Sequence, residues 1–197
     1  MKNRSIVVVG GGHAGVEAAF AVANLGIKAV LVTMDINAVG RMSCNPAIGG
    51  LGKGHLVKEI DALGGIMGRA SDACGLQFKV LNKSKGRAVW SPRAQIDKHK
   101  YAIYIQKTFS SHKNISIIQD EAVDFSVDNG RISSVVLRKG GVLKTNALIV
   151  CSGTFLNGLI HIGNEKFSAG RFGERAVVGL SNVLVNKGFS VSRLKTG

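Results

Sequence analysis

A run of β-branched residues that ends in three consecutive glycines constrains the fold of this chain more than any other feature. Ile6 to Val9 predicts a fully buried strand, and Ala14 to Leu25 carries apolar residues at helical spacing until Gly26. Lys28 to Thr33 predicts a second buried strand. These elements form one β-α-β unit, in which the two strands are parallel and the crossover is right-handed.

The turn between the first strand and the helix has the spacing of a dinucleotide-binding motif. The pattern G-x-G-x-x-G is formed by Gly10, Gly11, Gly12, His13, Ala14 and Gly15. Gly10 allows a tight turn, Gly12 lets the backbone approach a pyrophosphate, and Gly15 lets the helix pack on the strand. Because free amides and the positive end of the helix dipole face this turn, we predict that it binds a diphosphate.

The identity of the dinucleotide follows from features further along the chain. Thr33 occupies the position at which an acid would contact a ribose, and Asp35 is a substitute two residues later. A hairpin around Asp128-Asn129-Gly130 precedes a buried strand, Ala147 to Cys151, which leads to Gly153. A hairpin layer at this place is typical of flavin enzymes with two dinucleotide domains, so FAD is preferred over NAD.

Basic residues are concentrated in the part of the chain that follows the β-α-β unit. Of the 26 Lys and Arg residues, 13 lie between Arg41 and Lys113, and the whole chain carries a net charge of +14. Helical spacing returns at Leu56 to Leu63 and at Gln95 to Phe109. We interpret residues 36–113 as a basic insertion on the substrate side, within one FAD-binding domain of residues 1–197. The charge favours a polyanionic partner such as RNA over a merely basic soluble surface.

Two short motifs in this insertion are candidates for chemistry and for anion binding. Cys44 lies in a glycine-rich loop with Arg41 and Lys53 nearby, and positive neighbours favour the nucleophilic thiolate. The alternative is a small buried cysteine with an inert thiol. The candidates for contacts to substrate or anions, either folate glutamates or tRNA phosphates, are Asn45, Lys53, Lys85, Arg87 and Arg93, with Trp90 among them for stacking. For the last three cations a solvated basic face is the alternative.

Other residues favour a cytoplasmic protein without a membrane segment. The apolar run Ile6 to Val9 is too short for a signal sequence or a membrane span. Three cysteines without a C-x-x-C pattern predict neither a disulfide framework nor a zinc site, and Cys74 and Cys151 are interpreted as packing residues. The five histidines lack metal-ligand spacing, so no metal is expected.

The remaining segments predict the other elements of the fold. Further strands are predicted at Ile115 to Gln119, Ala122 to Val127, Arg131 to Arg138 and Val142 to Lys144. The tail after Gly163 predicts a loop, a helix from Val177 to Asn186 and then a strand. Because no terminal element follows Arg193, we expect the domain to be truncated at its C-terminus.

Four blocks in order carry a specific resemblance over nearly the whole chain. They are GGGHAGVEAA, RMSCNPAIGGLGKGHLVKEIDALGG, LNKSKG with SPRAQ, and SGTFLNGLIHIG. These blocks resemble the GidA/MnmG family of FAD-dependent tRNA uridine 5-carboxymethylaminomethyl modification enzymes. The resemblance implies an α/β, Rossmann-like FAD-binding domain of the glutathione-reductase type with three layers.

The resemblance also implies an activity and its components. A homodimer of such enzymes works with the GTPase MnmE on the wobble uridine of tRNA, with FAD and NADH for the redox steps and methylenetetrahydrofolate as the one-carbon source. By position, Gly10 to Gly15 would hold the FAD pyrophosphate, the backbone of Val123 would contact the adenine end, and Cys44 matches one of two essential cysteines. The second cysteine and the regions for the nicotinamide and for MnmE lie beyond Gly197 in a full-length member, so the fragment alone is expected to be inactive.

Three other readings of the chain remain open at this stage. The protein could be a small-molecule FAD-dependent oxidoreductase, or the chain could be a non-catalytic FAD-binding fragment. A folate-dependent tRNA uracil methyltransferase shares the same cofactors, but its cysteine loop differs from the residues around Cys44. The block Gly173 to Val177 departs from the proline-containing version of some family members, which puts a flavin contact there in doubt.

Overall fold

The computed structural model describes residues 5–194. The strands are β1 (Ser5–Val9), β2 (Lys28–Thr33), β3 (Ala47–Gly49), β4 (Gly75–Leu81), β5 (Ser91–Ile96), β6 (Ile115–Gln119), β7 (Ala122–Asp128), β8 (Arg131–Leu137), β9 (Val142–Lys144), β10 (Ala147–Val150), β11 (Leu159–Ile162) and β12 (Glu165–Ser168). The helices are α1 (His13–Asn24), α2 (Gly54–Ala62), α3 (Met67–Cys74), α4 (Lys98–Ser111) and α5 (Leu180–Asn186).

A parallel sheet of four strands, in the order β10-β1-β2-β6, forms the centre of the molecule. The predicted β-α-β unit is present, since β1 pairs in parallel with β2 and α1 connects them. Successive side chains of a strand point to opposite faces of its sheet. Val8 and Leu31 therefore share a core with Phe20 of α1 and with Ile105 and Phe109 of α4.

The opposite face of the parallel sheet is covered by an antiparallel sheet, β7-β8-β9. Val7 and Val32 pack in one core with Phe125 of β7 and Val135 of β8. Helices, a parallel sheet and a small antiparallel sheet thus form three layers, which confirms the predicted fold class. The predicted hairpin turn is also present, with Asn129 and Gly130 at φ values of +48° and +73°.

The segment 36–113 contains a second antiparallel sheet, β3-β5-β4, together with α2, α3 and α4. The helix predicted from Gln95 begins only at Lys98, so that boundary was wrong. Gln95 pairs with both β3 and β4, and the Asp97 carboxylate accepts hydrogen bonds from the His99 and Lys100 amides as the N-cap of α4. Long-range pairing therefore outweighs the helical spacing of these residues.

The tail differs from its prediction in three respects. β11 and β12 form a hairpin where a loop was expected. The helix begins at Leu180 rather than at Val177, because Val177 bridges to Leu156 and donates its amide to the carbonyl of Phe155. The strand expected after this helix is absent from residues 187–194. The expected truncation also depends on residues 195–197, which lie outside the described range. Within residues 5–194, no helix has both the length and the apolar composition that a bilayer crossing requires.

Candidate functional site

The carboxyl ends of β1, β2, β6 and β10 open onto a cleft of about 670 Å³. Ligands of open parallel sheets bind at this edge, and the volume is in the range of cofactor sites. The cleft is bordered by the glycine turn, by the end of β2, by a loop around Cys44 and by the residues after β10. Predicted site residues that line it are Gly10, Gly11, Gly12, His13, Ala14, Thr33, Cys44, Asn45, Lys53 and Gly153.

The glycine turn is shaped by close contacts between backbone segments. Gly10 has a φ of +108°, and a Cβ atom there would overlap the carbonyl oxygen of Cys151. A Cβ atom at Gly15 would overlap the carbonyl oxygen of Gly10. Gly15 therefore does not line the cleft, and its role is to let α1 start directly against the turn. Both positions require glycine for packing before any ligand is considered.

The start of α1 presents backbone amides toward the cleft. The first hydrogen bond of the helix runs from the Val16 amide to the Gly12 carbonyl at 2.9 Å, so the amides of His13, Ala14 and Gly15 have no partner within the helix. Gly12, the N-cap residue, has open space where a side chain would be. Unpaired amides and an open N-cap at the positive end of a helix form an anion-binding arrangement.

His13 adds one side chain to this arrangement. Its Nδ1 atom is buried and has no hydrogen-bond partner among the described residues, and its ring meets the edge of Tyr101 with 5.7 Å between the centroids. Burial, and to a lesser extent the charge of Arg171, lowers the pKa of His13 below its ordinary value of 6.5. The imidazole is therefore neutral at pH 7, and Nδ1 can form one hydrogen bond with a bound molecule.

The Cys44 loop, residues 41–46, forms the opposite side of the cleft and has no regular secondary structure. The Gly40 amide donates to the Gly11 carbonyl at 2.9 Å, which places the start of the loop against the glycine turn. Cys44 is exposed, so the alternative of a small buried cysteine does not apply. Arg41, predicted to act on the thiol, forms a 2.6 Å ion pair with Glu174. Lys53 is the other predicted cation that lines the cleft.

The other two cysteines differ from each other in position. Cys74 is buried in the core, and Cys151 is half-buried and packs against the same core, as predicted for both. Cys151 also lines the cleft, which was not predicted. Burial raises the pKa of both thiols, and the charge of Asp97 adds to this effect at Cys74.

The end of β2 contributes oxygen atoms to the cleft. Thr33 donates through Oγ1 to the Asp35 carbonyl at 3.2 Å, and the Asp35 carboxylate accepts from the Asn37 amide at 2.9 Å. Asp120, directly after β6, also lines the cleft. Val123 does not line it but occupies a bulge in β7, where the pairing with β8 shifts. A bulge leaves one residue of the strand outside the ladder, so the Val123 backbone is free for another contact.

Three predicted cations lie away from the cleft. Lys85 and Arg87 are exposed in the connection between β4 and β5, and Arg93 lies within β5. None of the three lines the cleft. The structure thus separates the predicted substrate and anion contacts into two cleft residues, Asn45 and Lys53, and a group of three cations outside the cleft.

Several residues that line the cleft were absent from the predicted site. Arg171 approaches Glu174 at 3.5 Å, and its guanidinium lies 5.2 Å from the centroid of Phe155. Glu174 belongs to the block Gly173 to Val177, in which a flavin contact was in doubt, whereas Arg171 carries no local signal, since it reaches the cleft only through the tertiary fold. Glu121 also lines the cleft, and its buried carboxylate forms ion pairs with the guanidinium groups of Arg138 and Arg175 at 2.7 and 2.8 Å. The sequence could have indicated Glu121, because it follows β6 at the carboxyl edge of the sheet.

Comparisons with known proteins agree with this geometry. The family model described as "Glucose inhibited division protein A" matches residues 5–197. The chain is 52% identical over 193 residues to the tRNA uridine 5-carboxymethylaminomethyl modification enzyme MnmG of Chlorobaculum tepidum, covering 98% of this chain and 31% of that protein. It is also 52% identical over 192 residues to the enzyme of the same name from Campylobacter hominis, covering 98% of this chain and 30% of that protein.

A solved structure shows the same relationship in three dimensions. The form II crystal structure of Aquifex aeolicus GidA superposes with a TM-score of 0.91 at 48% identity, covering 95% of this chain and 31% of that one. The chain thus spans about 31% of the length of such relatives. Family model, sequence and structure agree that this chain belongs to the GidA family.

Proposed function

We propose that the protein containing this chain adds a carboxymethylaminomethyl group to C5 of the wobble uridine in tRNA, and that residues 1–197 supply its FAD-binding part. The names and identities of the relatives support this activity. The observation that carries the proposal is the shared cleft, which brings the diphosphate-binding turn and the exposed thiol of Cys44 together.

The residues of the cleft fit FAD in several respects. The open amides at the start of α1 suit a diphosphate, and the unpartnered Nδ1 of His13 is available to the same group. Asp35 and Thr33 lie where ribose hydroxyls would be bound, and the bulged backbone of Val123 suits the adenine end. When bound, FAD supplies reversible redox chemistry. Gly153, exposed at a φ of +55°, would border the cofactor without a side chain.

Cys44 is proposed as the nucleophile toward the uracil ring. Its sulfur, as thiolate, would form a bond to C6, and the electron pair of the C5–C6 double bond would move toward the C4 carbonyl. C5 then becomes nucleophilic toward the one-carbon unit. Loss of the C5 proton and departure of the thiolate restore the double bond. Lys53 and Asn45 line the same cleft and would contact the negatively charged substrate.

Further components belong to the whole protein. We propose NADH and methylenetetrahydrofolate as co-substrates, and a cytoplasmic homodimer with MnmE as partner. Residues 36–113 would form the substrate side of the FAD domain. Because this chain spans about 31% of the length of its relatives, we propose that it binds FAD without turnover when it is isolated.

The test replaces Cys44 by serine in the longer protein, with Cys74→Ser as the matched control. The C44S variant should keep its flavin absorbance but lose modified uridine by at least about 100-fold, as measured by mass spectrometry of tRNA hydrolysates. C74S should retain the modification, because Cys74 does not line the cleft. Wild-type levels of modified uridine in C44S would contradict the proposed role, and loss of flavin would indicate a structural one.

A further inference from the structure

A basic and aromatic loop outside the cleft has no specific contact assigned to it in the function proposed above. We name residues 82–90, between β4 and β5, the Trp90 loop. It consists of two short 3₁₀ turns and is shaped by Asn82 and Gly86, whose φ values are +59° and +89°. Lys83, Lys85 and Arg87 give it three positive charges in five residues. Within residues 5–194, none of these three cations has an acidic partner within 4.0 Å.

The indole ring of Trp90 is held in place but remains accessible. Its Nε1–H donates to the Lys83 carbonyl at 3.2 Å, and the Arg87 guanidinium lies 5.7 Å from the ring centroid. The residue is nevertheless 42% exposed, and its neighbour Val89 is 45% exposed. An aromatic ring that is fixed by its own loop and flanked by unpaired cations resembles the stacking platforms of proteins that bind single-stranded nucleic acids.

Basic residues connect the Trp90 loop with the cleft. Arg93, three residues after Trp90, packs its side chain beside Gly50, and the Lys53 amide donates to the Gly50 carbonyl at 3.1 Å. Lys53 itself lines the cleft. Trp90 directly precedes β5, and Arg93 of β5 pairs with Gly49, which lines the cleft, so Trp90 lies three residues from the level of the cleft wall, roughly 10 Å at 3.3 Å per residue. This distance can be spanned by a few nucleotides of an extended strand.

We propose that the Trp90 loop binds unpaired nucleotides of the RNA substrate that flank the nucleotide entering the cleft. Trp90 would stack on a base, while Lys85 and Arg87 contact phosphates. The inference rests on the proposed function and adds a binding surface to it. Unpaired bases are favoured because every base offers a face for stacking, whereas bases within a duplex are already stacked. The glutamate tail of a folate would use the charges but has no aromatic face for the indole ring.

The experiment uses the intrinsic fluorescence of the chain, because Trp90 is its only tryptophan. The chain is titrated with an anticodon stem-loop RNA, with a fully paired duplex of equal charge, and with heparin. Binding of the stem-loop should quench the fluorescence, whereas the duplex and heparin should leave it nearly unchanged. Trp90→Ala should weaken stem-loop binding, measured by fluorescence anisotropy of labelled RNA, by roughly 5- to 150-fold, and Trp90→Phe should retain most of the affinity.

A charge variant tests the phosphate contacts separately. Lys85→Gln should reduce the slope of log affinity against log salt by about 0.7. Lys28→Gln, which makes the same charge change at the amino end of β2, is the matched control and should leave the slope nearly unchanged. Circular dichroism and denaturation curves verify that each variant is folded.

Several results would overturn the inference. They are RNA binding without a change in fluorescence, equal quenching by the duplex, or no stem-loop binding by the wild-type chain. If Trp90→Ala changes self-association instead of RNA affinity, the loop is a protein contact and the inference also fails. These outcomes leave the proposed function standing as long as the longer protein modifies tRNA in a manner that depends on Cys44, so the two failures are distinguishable.

Discussion

The glycine turn and the Cys44 loop face each other across one cleft, but they are held in place by different forces. The turn depends on backbone contacts between neighbouring segments, in which Gly10 and Gly15 leave no room for a Cβ atom. The Cys44 loop is irregular and mostly exposed, although Met42 is buried in the core. It is held by backbone hydrogen bonds from Gly40 to Gly11, from Arg41 to Ala38 and from Ile96 to Pro46, and by the ion pair between Arg41 and Glu174. We infer from this difference that the shape of the turn is built into the local backbone, whereas Cys44 is positioned by contacts with distant parts of the chain.

The largest expected effect comes from the glycine turn. In Gly15→Ala the new methyl group overlaps the Gly10 carbonyl, so the free energy of unfolding should fall by about 3 kcal/mol, as measured by urea denaturation. The matched control, Gly12→Ala, adds the same methyl group at a position with open space. It should change stability by about 1 kcal/mol or less while weakening FAD binding. Equal stability losses in both variants would show that the turn is not specified by packing.

The difference between contacts that are local in the sequence and contacts that join distant segments explains which parts of the structure could be predicted from the sequence. The β-α-β unit and the hairpin at Asn129-Gly130 depend on local periodicity and on turn residues, and both are present. β5 was missed because it pairs with β3, more than 40 residues earlier in the chain. β4 was missed because it lies at a sheet edge with Leu76 and Phe78 exposed, which removes the alternation of apolar and polar residues.

The same reasoning applies to the cleft itself. Gly10 to Gly12 and Cys44 were predicted because a motif or a distinctive loop marks them. Glu174 lies 133 residues from Arg41 in sequence, and no pattern near it predicts that the two side chains meet. Side chains that reach a site through tertiary contacts therefore remain outside the scope of local sequence patterns.

A second prediction concerns Glu17, which lies in α1, the helix that follows the glycine turn. Its carboxylate accepts hydrogen bonds from the amides of Ile66 and Met67, and so links α1 to the start of α3. Burial raises the pKa of Glu17 above its ordinary value of 4.5, with Asp61 adding to the shift and the two amides opposing it. The folded chain thus binds this proton more tightly than the unfolded chain does.

The expected pH dependence has a definite sign. The stability contributed by protonated Glu17 is fully present below pH 4.5 and is lost as the pH rises through the higher folded pKa. Glu17→Gln removes this titration. The free energy of unfolding of the wild type, relative to that of the variant, should therefore increase as the pH falls from 7 to below 4.5. A difference that is constant with pH, or that changes in the opposite direction, would contradict this account of the link.

The smallest expected effect tests the ion pair of the Cys44 loop. Because the side chains of Arg41 and Glu174 are 41% and 33% exposed, a double-mutant cycle with Arg41→Gln and Glu174→Gln should give a coupling energy of about 0.5 kcal/mol. In the control cycle, Lys53→Gln replaces Arg41→Gln, and the coupling energy with Glu174→Gln should be smaller. A coupling energy above about 2 kcal/mol would mean that the Cys44 loop is as firmly fixed as the glycine turn, and would contradict the difference between the two regions.

The central claim is that the glycine turn and the Cys44 thiol share one cofactor cleft, and the most direct test is the alkylation rate of each cysteine with and without FAD. In the cofactor-free chain, iodoacetamide should modify Cys44 first, because Cys44 is exposed whereas burial raises the pKa of the Cys74 and Cys151 thiols. FAD at about 100 times its Kd should slow the alkylation of Cys44 by up to about 100-fold, as followed by peptide mass spectrometry, with Cys74 as the internal reference. An unchanged rate at Cys44 while FAD is bound would contradict the claim.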